Sequence, residues 1–99
     1  MSGVPTDDKP ARLHAVVHGW VQGVGFRAAT QRAAAQHNLS GWVRNHADGT
    51  VETVAEGPRP ALEAFEQFLH RGPALAEVER VDVSYSPASG AFAGFNIRY

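Results

Sequence analysis

The sequence predicts an α+β fold of the ferredoxin-like class: an antiparallel β-α-β-β-α-β sheet with two helices on one face and a short extra C-terminal strand. Three observations predict it. Segments with strand periodicity alternate with two helical segments in that order. An Asp-Gly pair separates the second strand from the third. The 99 residues are enough for one domain with its own core.

The first half of the chain is predicted to form a strand, a loop, a helix and a second strand. Residues 13–18 alternate apolar and polar side chains, which is the period of a strand with one buried face. Residues 19–25 carry glycines and form the loop. Residues 26–37 contain neither Pro nor Gly and are rich in alanine, and residues 40–44 form the second strand. The inward face of the helix is predicted to contain Phe26, Ala29, Ala33 and Ala34.

The second half begins with a hairpin at residues 47–50, because glycine readily adopts the positive φ that such a turn requires. Residues 51–55 form the third strand. Pro60 lies in the first turn of the second helix, and Gly72-Pro73 ends that helix. Residues 78–85 form the fourth strand, and Phe95, Ile97 and Tyr99 alternate in the short terminal strand. The apolar face of the second helix is predicted to contain Leu62, Phe65, Phe68 and Leu69.

Composition excludes several classes of function. The chain has no cysteine, which rules out disulfides, thiolate chemistry and Cys-based zinc sites. A net charge of −1 gives no general attraction to nucleic acid or an anionic membrane, and no apolar run approaches the ~20 residues that span a bilayer. We expect a disordered tail over residues 1–10, one domain over residues 11–99, and a cytoplasmic monomer without nucleic-acid or membrane partners.

The junction between the glycine loop and the first helix indicates an anion site. A helix start exposes unpaired N–H groups and a partial positive charge, so acidic residues are common there. Here Arg27 stands in the first turn, and no acidic residue occurs between it and Asn38. A cation at this end costs about 0.3–1 kcal/mol. We therefore expect an anionic ligand, a phosphate held by loop N–H groups and the guanidinium together.

A second polar residue is predicted to lie beside this loop. In a β-α-β crossover the two strands run in the same direction, so their C-terminal ends share one edge of the sheet. The loop follows the first strand, and Asn45 ends the second. Its uncharged amide suits holding a water beside an anion. We expect the apolar residues Trp20, Val24 and Phe26 to shield this site.

Four segments closely resemble the acylphosphatases, and the similarity covers nearly the whole chain from about Arg12 onward. They are residues 19–27 (GWVQGVGFR), 41–45 (GWVRN), 48–52 (DGTVE) and 95–99 (FNIRY). The resemblance implies a ferredoxin-like fold and hydrolysis of a small-molecule acyl phosphate to a carboxylate and inorganic phosphate. It implies no metal and no cofactor, because the carboxylate is already a good leaving group.

The resemblance also implies roles for particular residues. In that family the arginine that closes the loop binds the substrate phosphate, and the asparagine that ends the WVRN-type segment orients the attacking water. Matched by motif, these residues are Arg27 and Asn45. The loop backbone is expected to hold the phosphate through Gln22, Gly23, Val24, Gly25, Phe26 and Arg27.

Three nearby side chains complete this interpretation. We expect the Gln22 side chain to stabilise the loop rather than to act in catalysis. Trp20 occupies a loop position that is often basic in relatives, which bears on substrate capture and acyl-group preference. His46, directly after the asparagine, occupies a position that varies in the family. Neither departure affects Arg27 or Asn45.

Two other site types are weaker interpretations. Residues 23–28 fit G-x-G-x-x-A, with Asp48 near the distance of a dinucleotide fingerprint. That motif needs a doubly wound parallel sheet, which 99 residues do not supply, and the turn with Gly49 explains Asp48 better. His14 and His18 are roughly 13 Å apart on a strand, too far to share one metal ion.

Two non-catalytic functions use the same fold. Ferredoxin-like sheets bind single-stranded RNA through aromatic and basic residues, but this chain has neither an RNP1-like segment nor a basic stripe. A regulatory domain that senses phosphate or an acyl phosphate without hydrolysing it remains the alternative to an enzyme.

Overall fold

The computed structural model describes residues 9–99, which form one five-stranded sheet and two helices. The predicted tail lies outside the described residues except at its end, where Pro10 already begins the first strand. In chain order the elements are β1 (Pro10–Trp20), α1 (Phe26–Gln36), β2 (Ser40–Asn45), β3 (Val51–Pro58), α2 (Arg59–Arg71), β4 (Glu77–Pro87) and β5 (Phe95–Arg98).

The sheet has the strand order β4-β1-β3-β2-β5, which confirms the ferredoxin-like fold with an added strand. Among themselves, strands β1 to β4 pair in antiparallel fashion. The added strand β5, whose direction the sequence did not predict, pairs parallel to β2, so the complete sheet is mixed. The reason is that the chain reverses direction after β4 and reaches the opposite edge, where β2 has a free side.

Both helices pack against one face of the sheet, which carries the alternate side chains Leu13, Ala15 and Val17 of β1. The predicted inward residues of α1 are all buried. Thr30 joins them, because its hydroxyl donates a hydrogen bond of 2.8 Å to the Phe26 carbonyl and so satisfies its own polar group. The predicted face of α2 is buried at Leu62, Phe65 and Leu69 and partly buried at Phe68.

Strand β1 is longer than predicted at its C-terminal end. Its pairing with β4 continues through a bulge between His18 and Gly19, so that Trp20 pairs with Glu77. Gly19 has φ 129°, and a Cβ atom there would lie only 2.2 Å from the Glu77 carbonyl oxygen. Glycine is therefore required for the strand to continue, and the loop shortens to residues 21–25.

The remaining differences from prediction are at element ends. Helix α1 stops one residue earlier than predicted, β2 includes Asn45, β3 runs three residues further, β4 extends at both ends, and β5 stops before Tyr99. The strand ends depend on sheet pairing, which local periodicity does not report.

The hairpin between β2 and β3 is confirmed at the predicted Asp-Gly pair. Gly49 has φ 94°, and its N–H donates to the His46 carbonyl over 3.1 Å. The Asp48 carboxylate accepts hydrogen bonds from the Thr50 hydroxyl at 2.6 Å and the Thr50 N–H at 3.0 Å. These hydrogen bonds lower the pKa of Asp48 and account for this residue as part of the turn.

The topology brings the ends of β1 and β2 together. Both strands are antiparallel to β3, which lies between them, so they run in the same direction. Their C-terminal ends therefore share one edge of the sheet, as predicted. The loop after β1, the start of α1 and Asn45 all lie at this edge.

A buried carboxylate anchors the connection from β4 to β5. Glu56 accepts hydrogen bonds from the Arg12 guanidinium at 2.7 Å, from the backbone and hydroxyl of Ser89, and from the Gly90 N–H at 3.0 Å. Burial by itself would raise the pKa of Glu56, but these hydrogen bonds lower it to about 2. The ordinary value is 4.5, so folding stabilises the ionised carboxylate.

Replacing Glu56 with glutamine is expected to lower the free energy of unfolding by about 2 kcal/mol at neutral pH, because the hydrogen bonds lose their charge. The pKa of Glu56 is depressed in the folded state, so its contribution is present above pH 4.5 and is lost as pH falls toward about 2. Urea unfolding at neutral pH and at about pH 3 measures this, and the stability difference between the two proteins should be clearly smaller at the lower pH. Glu63→Gln, at an exposed ion pair with Arg59, is the control. If the difference in free energy of unfolding between wild type and Glu56→Gln did not depend on pH, the prediction would be contradicted.

Candidate active site

The loop at residues 21–25 is held at one end and open in its middle. Val21 is buried in the core, whereas Gly23 and Gly25 are exposed. Both glycines have φ 76°, a left-handed conformation that costs other residues about 1–2 kcal/mol. A Cβ atom at either glycine would have no neighbour within 4 Å, so the space beside the loop is free. Alternation of left-handed and right-handed residues is the backbone pattern that forms anion-binding concavities.

Helix α1 begins directly after this loop without a side-chain cap. Gly25 is the N-cap residue, and the first turn contains no acidic residue. The first N–H groups of a helix have no partners within the helix, so here they are available to a ligand. This arrangement is the one that the sequence predicts for an anion site.

Arg27, in the first turn of α1, is half-buried. Its guanidinium carbon lies 4.7 Å from the centre of the Tyr99 ring. The ion pairs found within residues 9–99 do not include Arg27. The guanidinium thus lies within cation–π distance of a ring that is itself 98% exposed, while its charge is not neutralised by a described carboxylate.

Asn45 ends β2, and its side-chain oxygen is buried. Within the described part of the chain no hydrogen-bond donor reaches this Oδ1 atom. A buried acceptor without a partner costs about 1–3 kcal/mol, so this atom is set to accept a hydrogen bond from a small donor.

Arg27 and Asn45 line the same cavity, which has a volume of about 200 Å³. A water molecule takes up about 30 Å³ in the liquid, so the cavity holds a group several times that size. A larger depression of about 630 Å³ lies beside Asn38 and Phe95 and contains none of the predicted site residues. The smaller cavity is lined by Val21, Gly23, Gly25, Phe26, Arg27, Ala28, Asn45, Ile97 and Tyr99.

The structure separates the predicted loop residues into two groups. Gly23, Gly25, Phe26 and Arg27 line the cavity. The Gln22 side chain instead donates hydrogen bonds to the β2–β3 turn, and Val24 packs against the core. Gln22 therefore does stabilise the loop, as expected.

Sequence reasoning missed Ile97 and Tyr99 as walls of the cavity. The parallel pairing of β5 beside β2 puts them there, and their alternation in the sequence did not identify that partner. Trp20, expected to shield the site, is 68% exposed and lines a different depression together with Gln22 and Gly49.

Three histidines, His14, His18 and His46, each contact a carboxylate side chain. His46 Nε2 lies 2.5 Å and His14 Nε2 2.7 Å from opposite oxygens of Glu52. Burial alone would raise the pKa of Glu52, but these hydrogen bonds lower it below its ordinary value. His18 pairs with Asp82. Among residues 9–99, no group of three or more His, Asp or Glu side chains is arranged to hold a metal ion.

Comparison with known proteins identifies the family. The family model described as acylphosphatase matches residues 13–97. The chain belongs to the acylphosphatase family. An acylphosphatase of Salinibacter ruber is 51% identical to it over 88% of this chain and 92% of the relative, and one of Thermus thermophilus is 50% identical over 87% and 97%. The crystal structure of the acylphosphatase from Bacillus subtilis superimposes with a TM-score of 0.87 at 38% identity, covering 90% of this chain and 99% of that one.

These acylphosphatases confirm the resemblance carried by the four sequence segments and the predicted fold. Neither helix of residues 9–99 has the length and hydropathy needed to cross a membrane.

Proposed function

We propose that this acylphosphatase hydrolyses acyl phosphates to a carboxylate and inorganic phosphate in the cavity between residues 21–25, Arg27 and Asn45. The proposal rests on one observation, the set of residues that line this cavity. Arg27 and Asn45 both line it, beside an uncapped helix start. Among residues 9–99 the Arg27 guanidinium has no ion-pair partner and the buried Asn45 Oδ1 atom has no hydrogen-bond donor.

The substrate phosphate binds at the loop and helix start. Backbone N–H groups of residues 22–27 and the Arg27 guanidinium donate hydrogen bonds to the phosphoryl oxygens. Phe26 excludes water from the inner wall, which strengthens these interactions. Because phosphoryl transfer spreads negative charge over these oxygens, the same donors stabilise the transition state.

Asn45 holds the nucleophile. Its Oδ1 atom accepts a hydrogen bond from a water molecule, which leaves a water lone pair directed at phosphorus. The water oxygen forms a bond to phosphorus as the bond to the acyl oxygen breaks, and the carboxylate leaves with that electron pair. A phosphoryl oxygen of the substrate accepts the proton. Positioning and charge stabilisation suffice here because the carboxylate needs no acid to leave.

Benzoyl phosphate tests the function and distinguishes it from the alternative. Catalysed release of inorganic phosphate by the protein is the expected result. Saturable binding without release would contradict the enzyme and support a sensor with the same fold. We further expect a cytoplasmic protein, and a monomer in keeping with the small size and charge of the chain. Size-exclusion chromatography with light scattering tests the oligomeric state.

A further inference from the structure

The side chain of Gln22 joins the two segments that carry the proposed site. Its Nε2 atom donates one hydrogen bond of 2.7 Å to the His46 carbonyl and another of 2.9 Å to the Thr50 carbonyl. A carboxamide nitrogen has two donor hydrogens, and both are used. The partners lie 24 and 28 residues away along the chain, at the two ends of the β2–β3 turn.

Within residues 9–99, only side-chain hydrogen bonds join the loop to the turn. The backbone hydrogen bonds found within residues 9–99 do not join the loop at 21–25 to the turn at 46–50. Apart from the packing of Val21 and Val24 against the core, the position of the loop relative to the turn therefore depends on the Gln22 side chain.

The turn that Gln22 holds is itself well ordered by hydrogen bonds. His46 N–H donates to the same Thr50 carbonyl at 2.9 Å, and Asp48 accepts two hydrogen bonds from Thr50. The His46 imidazole also contacts Glu52. A change at Gln22 is thus transmitted to the turn as a whole, and Asn45 is the residue directly before that turn.

We infer that Gln22 is a positioning residue, which sets the distance between the phosphate held at the loop and the water held by Asn45. This inference rests on the proposed function. A displacement of about 1 Å between reacting groups lowers a rate by about 100-fold, whereas phosphate binding by the loop N–H groups and Arg27 does not require Asn45. Losing the two hydrogen bonds should therefore affect turnover far more than phosphate affinity.

The test is Gln22→Met, which keeps the length of the side chain and removes both donors. We expect kcat for benzoyl phosphate to fall about 10- to 100-fold, while the inhibition constant for inorganic phosphate changes by less than about threefold. Gln31→Met is the matched control. Gln31 also links its helix to a backbone carbonyl, that of Phe95 at the start of β5, away from Asn45. The Gln31→Met variant should have lower thermal stability than wild type but the same kcat.

A double-mutant cycle with Asn45→Ala separates positioning from a general structural role. If Gln22 acts through Asn45, Gln22→Met should lower kcat by less than about twofold once Asn45 is absent. Equal losses in both backgrounds, an unchanged kcat in the single variant, or parallel losses of kcat and phosphate affinity would each overturn the inference.

Two further measurements keep the test decisive. Gln22→Asn, which retains the amide but is too short to reach both carbonyls, replaces the Met variant if that variant does not fold, and the same outcomes apply. A wild-type protein that releases no phosphate would contradict the proposed function. An active wild type with an unaffected Gln22 variant would contradict this inference alone.

Discussion

Replacing Arg27 with alanine is expected to lower kcat/KM for benzoyl phosphate by about 10³-fold or more, which corresponds to about 4 kcal/mol of transition-state stabilisation. In the proposed mechanism the guanidinium provides a full positive charge and a planar pair of donors where negative charge accumulates. Loss of the guanidinium should also weaken the binding of phosphate in the ground state. Inhibition by inorganic phosphate should therefore be weaker in the same variant.

The control for this variant is on the same helix. Arg32 is an exposed arginine that does not line the candidate cavity, so Arg32→Ala should retain full activity and similar stability. Arg27→Lys keeps the charge but loses the paired donors and the flat surface that stacks on Tyr99. It should therefore recover only a small part of the activity. Wild-type rates in Arg27→Ala would exclude this arginine from the site.

Replacing Asn45 with alanine is expected to lower kcat by about 10²- to 10³-fold while the affinity for inorganic phosphate stays within about threefold of wild type. The physical reason is that, in the proposed mechanism, the buried and unpaired Oδ1 atom of this cavity-lining residue accepts a hydrogen bond from water and supplies nothing to the phosphate. A selective loss of kcat identifies a group that acts on the nucleophile rather than on substrate binding.

Two variants complete that experiment. Asn45→Asp has the same shape but places a negative charge beside the phosphate, so it should lose phosphate affinity as well as turnover. Asn96→Ala removes an exposed carboxamide from β5, outside the cavity, and should leave both unchanged. Poor binding of phosphate by Asn45→Ala would instead indicate that Asn45 binds the substrate phosphate rather than the attacking water.

Much of the candidate site could be predicted because its signals are local. Two glycines before an acid-free helix start, followed by arginine, indicate an anion site within about ten residues of sequence. Predicting that Asn45 lies beside the loop required one further step, the rule that the two strands of a β-α-β unit run in the same direction. The comparisons confirm the family and the fold, while the individual roles of Arg27 and Asn45 stay predictions that the variants above test.

The sequence by itself determined the order of the elements, the buried faces of both helices, the Asp-Gly turn and the position of the glycine loop before Arg27. All of these follow from periodicity and the backbone preferences of single residues. Only the tertiary structure decided that Ile97 and Tyr99 wall the cavity and that β1 continues through a bulge to Trp20. It alone decided that the Gln22 side chain holds the turn after Asn45. Each of these features depends on pairing between segments far apart in the chain, and such pairing is selected by the packing of the whole sheet rather than by any local pattern.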